Sequence, residues 1–166
     1  PGKVTVMLNG VPIAEQTGLI RPLARWVLEA ALRESNRWHA AGLDINVAVN
    51  LSMRNLHDPE IGETIRELLA RWGVPPVRLV IEITESSLMA DAARAMDVLT
   101  SLRAMGVSIS IDDFGTGYSS LAYLKRLPVD ELKIDRSFVS HMATDDNDLV
   151  IVRSTIGLAH DLGLRV

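Results

Sequence analysis

Apolar residues along this chain recur in two rhythms that take turns. In "AARAMDVLTSLRAM" they fall three and four residues apart, as on one face of a helix. In "DINVAVN" and "VSISIDD" they alternate singly, as along a strand. The pattern predicts helix 21–40, strand 44–51, helix 59–72, strand 77–84, helix 91–105 and strand 107–113, followed by helix 118–126, strand 130–135, helix 146–162 and a strand beginning at 164. Four joins repeat one design, helix to Gly to apolar strand, at Gly42, Gly73, Gly106 and Gly163. A glycine just past a helix takes the left-handed conformation that closes the last turn. The first three joins lie 31 and 33 residues apart, one βα unit each. Alternating helices and strands imply a parallel sheet with crossover helices, an α/β fold.

Strands covered by helices usually carry apolar residues on both faces. Here only one face does. It holds Ile45, Val47 and Val49; Leu79, Ile81 and Ile83; Val107, Ile109 and Ile111; and Leu132 and Ile134. The opposite face holds Asn46, Ala48 and Asn50; Val80, Glu82 and Thr84; Ser108, Ser110 and Asp112; and Glu131, Lys133 and Asp135. Polar residues gather toward the carboxyl ends of the strands, where α/β sheets and barrels place their ligand sites. One such residue is readily a solvated strand end. Four strands doing this together point to a site, because buried charge without partners is costly.

The chemistry of that set is hard-oxygen chemistry. Glu82, Asp112, Asp113 and the Asn50 amide suit Mg²⁺ or Mn²⁺, and none of the four histidines belongs to the set. Lys133 among these acids reads either as a salt-bridge partner or as a holder of phosphate or of an attacking water. The "HD" pairs His57-Asp58 and His160-Asp161 lack the further histidines that a phosphohydrolase of that kind needs.

Composition narrows the classes. The 166 residues fit one domain, and 48% hydrophobic with 23% charged residues is ordinary globular usage. A net charge of -4 argues against binding a nucleic-acid duplex by bulk electrostatics. The absence of cysteine removes thiolate metal sites and disulfides and fits a reducing cytoplasm. No apolar run approaches the ~20 residues of a membrane span, so no membrane contact is expected from this chain. The start at Pro1, without Met or a signal-like segment, leads us to expect a non-native beginning.

The pieces "VNLS" (49–52), "EITES" (82–86), "DDFGTGYSSL" (112–121) and "LKIDRSFV" (132–139) resemble, in order and at similar spacing, the motif set of the EAL domain. That family comprises bacterial cyclic-di-GMP phosphodiesterases with a modified TIM barrel. "PIAEQTGLI" (12–20) resembles the helix before the family's second strand. The resemblance implies two-metal hydrolysis of one phosphodiester of cyclic-di-GMP to linear pGpG. By it, Asn50, Glu82 and Asp112 match ligands of one cation, and Asp112 with Asp113 match ligands toward the other. Lys133 matches the lysine that contacts the nucleophilic water, so Lys133 and Asp113 are the catalytic candidates. Glu85 matches the glutamate that steadies the loop of Phe114, Gly115, Thr116 and Gly117, which in the family links the metal site to a dimer interface. Asp135 is a further site-facing residue.

Two departures shape the expectations. The signature Glu-Ala-Leu of the first strand is absent; "KVTVML" (3–8) alternates like a replacement edge strand without a carboxylate, and "NG" after it is a turn signal. The sequence also stops before the family's "AEGVE" and "QG" segments. We therefore expect residues 1–10 to be an atypical N-terminal segment and 11–166 a partial EAL domain, an incomplete TIM-like (β/α) barrel of five to six strands. We further expect open edges that favour a homodimer or domain-swapped oligomer, and hydrolysis that is very weak or absent. The alternative is a catalytically dead module that binds nucleotide or another protein.

Overall fold

Five strands form one parallel sheet in chain order. They are β1 (Gly2–Val6), β2 (Ile45–Asn50), β3 (Leu79–Thr84), β4 (Ser108–Phe114) and β5 (Glu131–Ile134). Helices α1 (Val11–Thr17) and α2 (Ile20–Ala40) connect β1 to β2, and α3 (Met53–Leu56) and α4 (Ile61–Trp72) connect β2 to β3. Then come α5 (Glu85–Ala90) and α6 (Ala92–Ala104), α7 (Leu121–Leu124), and, after β5, α8 (Arg136–His141) and α9 (Asp146–Asp161). This computed structural model describes residues 2–6, 11–117 and 121–166.

The long elements lie within two residues of the expected boundaries. The helix expected at 118–126 is described only as α7, its first three positions falling outside the described residues. The turn signal at Asn9-Gly10 also lies outside them. The strand expected at 164 is a single parallel bridge, Arg165 against Glu131. Three short helices, α3, α5 and α8, were missed because each is too short to show a period. Each follows a strand directly and is capped there: the Ser52 N–H donates to Asn55 Oδ1 at 3.1 Å, Ser87 N–H to Thr84 Oγ1 at 3.3 Å, and Ser137 N–H to Asp135 Oδ1 at 2.8 Å.

The four glycine joins are one motif. Gly42, Gly73, Gly106 and Gly163 have φ of 78°, 62°, 91° and 73°. In each, the next residue's N–H reaches back five residues: Leu43 to Trp38 O, Val74 to Leu69 O, Val107 to Leu102 O and Leu164 to Ala159 O, at 2.8–3.2 Å. Each helix thus ends in a Schellman turn that sends the chain into the next strand.

The core lies between the helices and the apolar face. Val47, Val49, Leu79, Ile81, Ile83, Ile109, Ile111 and Leu132 are no more than 1% exposed. They pack in one cluster with Leu28 and Leu32 of α2, Ile65 and Leu68 of α4, and Leu99 and Leu102 of α6. The other face is concave. In a flat sheet β1 and β5 would stand ~19 Å apart, four gaps of ~4.8 Å. Yet Lys3 Nζ of β1 lies 2.5 Å from Glu131 Oε1 of β5. The sheet is curled into a half-barrel, as the incomplete-barrel expectation requires.

Burial on both sides makes β3 the strand least tolerant of a cavity. Ile81→Ala should cost about 2–5 kcal/mol, whereas Val4→Ala on the exposed edge should change stability by less than about 0.5 kcal/mol. Urea unfolding of both variants checks the contrast; equal losses would contradict this packing.

Candidate functional site

Parallel register brings the polar residues into rows across the concave face. Asn50 pairs with Glu82, Glu82 with Ser110, and Ser110 with Glu131. One step further toward the carboxyl ends, Thr84 pairs with Asp112.

Glu82 is the centre of this face, with no solvent exposure. Its Oε2 accepts a hydrogen bond from Asn50 Nδ2 at 3.2 Å, which leaves the Asn50 amide oxygen free to serve as a donor. Its Oε1 lies 3.2 Å from Lys133 Nζ and 3.5 Å from Lys3 Nζ, but receives no hydrogen bond of good geometry. Lys133 Nζ also donates to Asp112 Oδ2 at 2.9 Å. Burial pulls the Lys133 ammonium toward deprotonation, but the bond it donates to Asp112 and the charges of Glu82 and Asp112 outweigh it and raise its pKa. The lysine is a cation here, not a base.

Asp112 and Asp113 therefore part company. Asp112 is neutralised by Lys133, while Asp113 turns outward with φ of 55°, alone among the described non-glycine residues in being left-handed. The register of β4 against β5 shifts between Ile111 and Phe114, so the turn is a bulge that re-aims this carboxylate. Burial, then the charges of Asp112 and Asp135, raise the pKa of Asp113, and a side-chain hydrogen bond joins it to Asp135. Asp135 caps α8 through Ser137, whose hydrogen bonds hold its own pKa low. It is both a helix cap and a neighbour of the site.

The loop after β4 is strapped to the sheet. Glu85, 1% exposed at the start of α5, accepts the Gly115 and Gly117 N–H groups at 2.8 and 3.2 Å through Oε2. A Cβ at Gly117 would sit 3.1 Å from that carboxylate, and one at Gly115 3.0 Å from the Phe138 ring, at a φ of 102°. Thr116 Oγ1 donates to Asp113 O at 2.9 Å, and Phe114 is buried below.

Sequence reasoning passed over Lys3. Its ammonium meets Glu131, which also accepts from Ser110 Oγ at 3.1 Å and faces Arg165 at 3.7 Å. The strand alternation of "KVTV" puts Lys3 on the same face as Asn46, its register partner, and that period was the available signal.

The donor chemistry suits a hard dication: Glu82 and Asp112 carboxylates, an amide oxygen, and a buried Glu82 oxygen without a hydrogen bond. Among the described residues, no three Asp, Glu or His side chains converge closely enough to hold a metal by themselves. Likewise, no described helix is long and apolar enough to cross a membrane.

The sequence profile of the EAL domain matches residues 5–166. The chain belongs to the EAL domain family. It is 46% identical over 157 residues to the bifunctional diguanylate cyclase/cyclic di-GMP phosphodiesterase MucR of Pseudomonas aeruginosa, covering 94% of this chain and 23% of that protein. It is 42% identical over 157 residues to the cyclic di-GMP phosphodiesterase NbdA of the same organism, covering 94% and 20%. A solved PaMucR phosphodiesterase in complex with c-di-GMP superposes with a TM-score of 0.88 at 47% identity, over 93% of this chain and 63% of that one. This EAL domain thus spans less than a quarter of either relative's length.

In this EAL domain, burial and the neighbouring acids disfavour the charged form of Asp113. A carboxyl whose folded pKa is raised loses stability as pH climbs from its unfolded value through its folded one. Asn keeps the left-handed backbone and removes the charge. Asp113→Asn should therefore raise the melting temperature at pH 7 in chelator-treated buffer, and the gain should vanish below the ordinary aspartate value of 3.8. Thermal melts at both pH values decide it; a gain that persists in acid would assign the effect to packing.

Proposed function

We propose that this EAL domain is the ligand-bearing part of a cyclic-di-GMP-specific phosphodiesterase, hydrolysing one phosphodiester of the cyclic dinucleotide to linear pGpG. The observation that carries the reading is the meeting of Asn50, Glu82, Asp112 and Lys133 at the carboxyl ends of neighbouring strands on the concave face. The cyclic-di-GMP phosphodiesterase activity of the relatives MucR and NbdA, and the c-di-GMP in the MucR complex, support it.

In this reading Asn50, Glu82 and Asp112 would hold one Mg²⁺ or Mn²⁺, and Asp112 with Asp113 a second. Such cations would supply a lowered pKa for the attacking water and charge neutralisation at the phosphate. Lys133, kept cationic by its two carboxylates, orients a phosphate oxygen or the attacking water. Water adds to phosphorus as one P–O ester bond breaks, leaving a 5′-phosphate and a free 3′-hydroxyl. Glu85 fixes the 113–117 loop, and through it the carboxylate of Asp113, in a reactive position and at a surface that can face a second copy.

Turnover by the chain in isolation is attenuated. β1 offers no carboxylate to the face, and Glu82 is met by two ammonium groups instead. The same feature favours a second reading, a module that binds the nucleotide without hydrolysing it.

Calorimetry and chromatography together separate these readings. The purified chain should bind cyclic-di-GMP in the presence of Mn²⁺, lose that binding by at least about tenfold in Asp112→Ala, and form pGpG very slowly or not at all. Rapid turnover abolished by Asp112→Ala would overturn the attenuation and keep the phosphodiesterase. Absence of binding would overturn the reading altogether.

The outer edge of β1 leaves backbone groups unpaired among the described residues, and such an edge invites pairing. We expect light scattering to give the mass of a dimer or larger oligomer; a monomer across the micromolar range would contradict this.

A further inference from the structure

Lys3 occupies a place that the reaction does not call for. It enters the concave face from β1, opposite Asn46, and its ammonium sits between two acids that belong to different strands. Glu131 Oε1 is 2.5 Å away and Glu82 Oε1 3.5 Å away. The second contact matters more. Glu82 Oε1 is the buried oxygen that lacks a hydrogen bond, the atom on which a cation would have most effect. Lys3 is still 28% exposed at its side chain, so it reaches the acid from the open side of the half-barrel.

We propose that Lys3 is a tethered counter-cation that competes with a divalent metal for Glu82. This rests on the metal reading above and adds to it a residue that sets how tightly this chain holds the ion. A dication bound by Asn50, Glu82 and Asp112 must share Glu82 Oε1 with an ammonium a few ångströms off. Like charges at that distance in a half-buried face repel appreciably. Lys133 also meets Glu82 Oε1, at 3.2 Å, but its second acid is Asp112, itself one of the proposed ligands, whereas the second acid of Lys3 is Glu131, which lies outside that set. Lys3 has the freedom to retreat onto Glu131, but only partly, since Ser110 and Arg165 already compensate that acid. The contact also ties β1 to β5, so removing the charge and removing the tie must be told apart.

The test is Mn²⁺ binding followed by electron paramagnetic resonance of the free ion, in the wild-type chain and in Lys3→Met, Lys3→Arg and Lys3→Glu. Asp112→Asn serves as the control for the site. Lys3→Met should bind Mn²⁺ about tenfold more tightly than wild type or better. Lys3→Glu should bind more tightly still, and Lys3→Arg as weakly as wild type. The Mn²⁺-induced rise in melting temperature should follow the same order, and circular dichroism of each variant establishes that it is folded. If wild type and all three Lys3 variants bind equally, with binding lost in Asp112→Asn, the inference about Lys3 is wrong and the metal reading stands. If no variant binds Mn²⁺ through Asp112, both fall.

Discussion

A carboxylate with no exposure to water, set in the middle strand of a sheet, has to be compensated by its neighbours or lose its charge. Glu82 is that group, and much of this structure is arranged around it. Asn50 donates to one oxygen from β2, Lys133 approaches the other from β5, and Lys3 reaches it from the far edge. None of these contacts is local in sequence. They exist because parallel register aligns the rows and because the sheet curls enough to bring β1 over β5. Helices α2, α4 and α6 pack on the apolar face of the central strands, which leaves the other side free to be polar.

The rigidity of the site comes from a second buried acid. Glu85 begins the short helix after β3 and spends its carboxylate on the N–H groups of Gly115 and Gly117. The loop has glycine where a side chain would strike Phe138 or Glu85 itself, so its path is fixed from both sides. That path forces the left-handed turn at Asp113. One residue therefore points back to Lys133 and its neighbour points out, and the adjacent acids divide into a paired one and an outward-facing one.

How much of this the sequence disclosed depended on whether a feature was periodic. The long helices, the strands and the sorting of Glu82, Asp112, Lys133 and Asn50 onto one face all follow from spacings of two and of three to four residues. The glycine joins were legible because only a left-handed residue ends a helix that way. Helices α3, α5 and α8 were not, since four to six residues carry no period and their capping residues read equally well as strand ends. Asp135 shows the cost: its place on the strand pattern was plain, its work as a helix cap was not. Lys3 was overlooked for a different reason. Alternation assigns it a face, but its partners lie across a curvature that no single strand encodes.

The charge count on the concave face links the fold to the proposed chemistry. Glu82, Asp112, Asp113, Glu131 and Asp135 face Lys3, Lys133 and Arg165, five acids against three bases, an excess of two negative charges when all are ionised. Burial first raises the pKa of Asp113, and the charges of Asp112 and Asp135 add to it. A cyclic dinucleotide with two phosphates carries two negative charges of its own and is repelled by such a surface. One divalent cation would bring the balance to zero, and two would reverse its sign, as binding of such a dianion requires. The acids that would repel such a ligand are thus the ones that could recruit cations to offset them, and Lys3, as proposed, would weaken the pull on those cations while easing the burial of Glu82. On the proposed reading, stability of the half-barrel and affinity for metal would be set against each other at Glu82 Oε1.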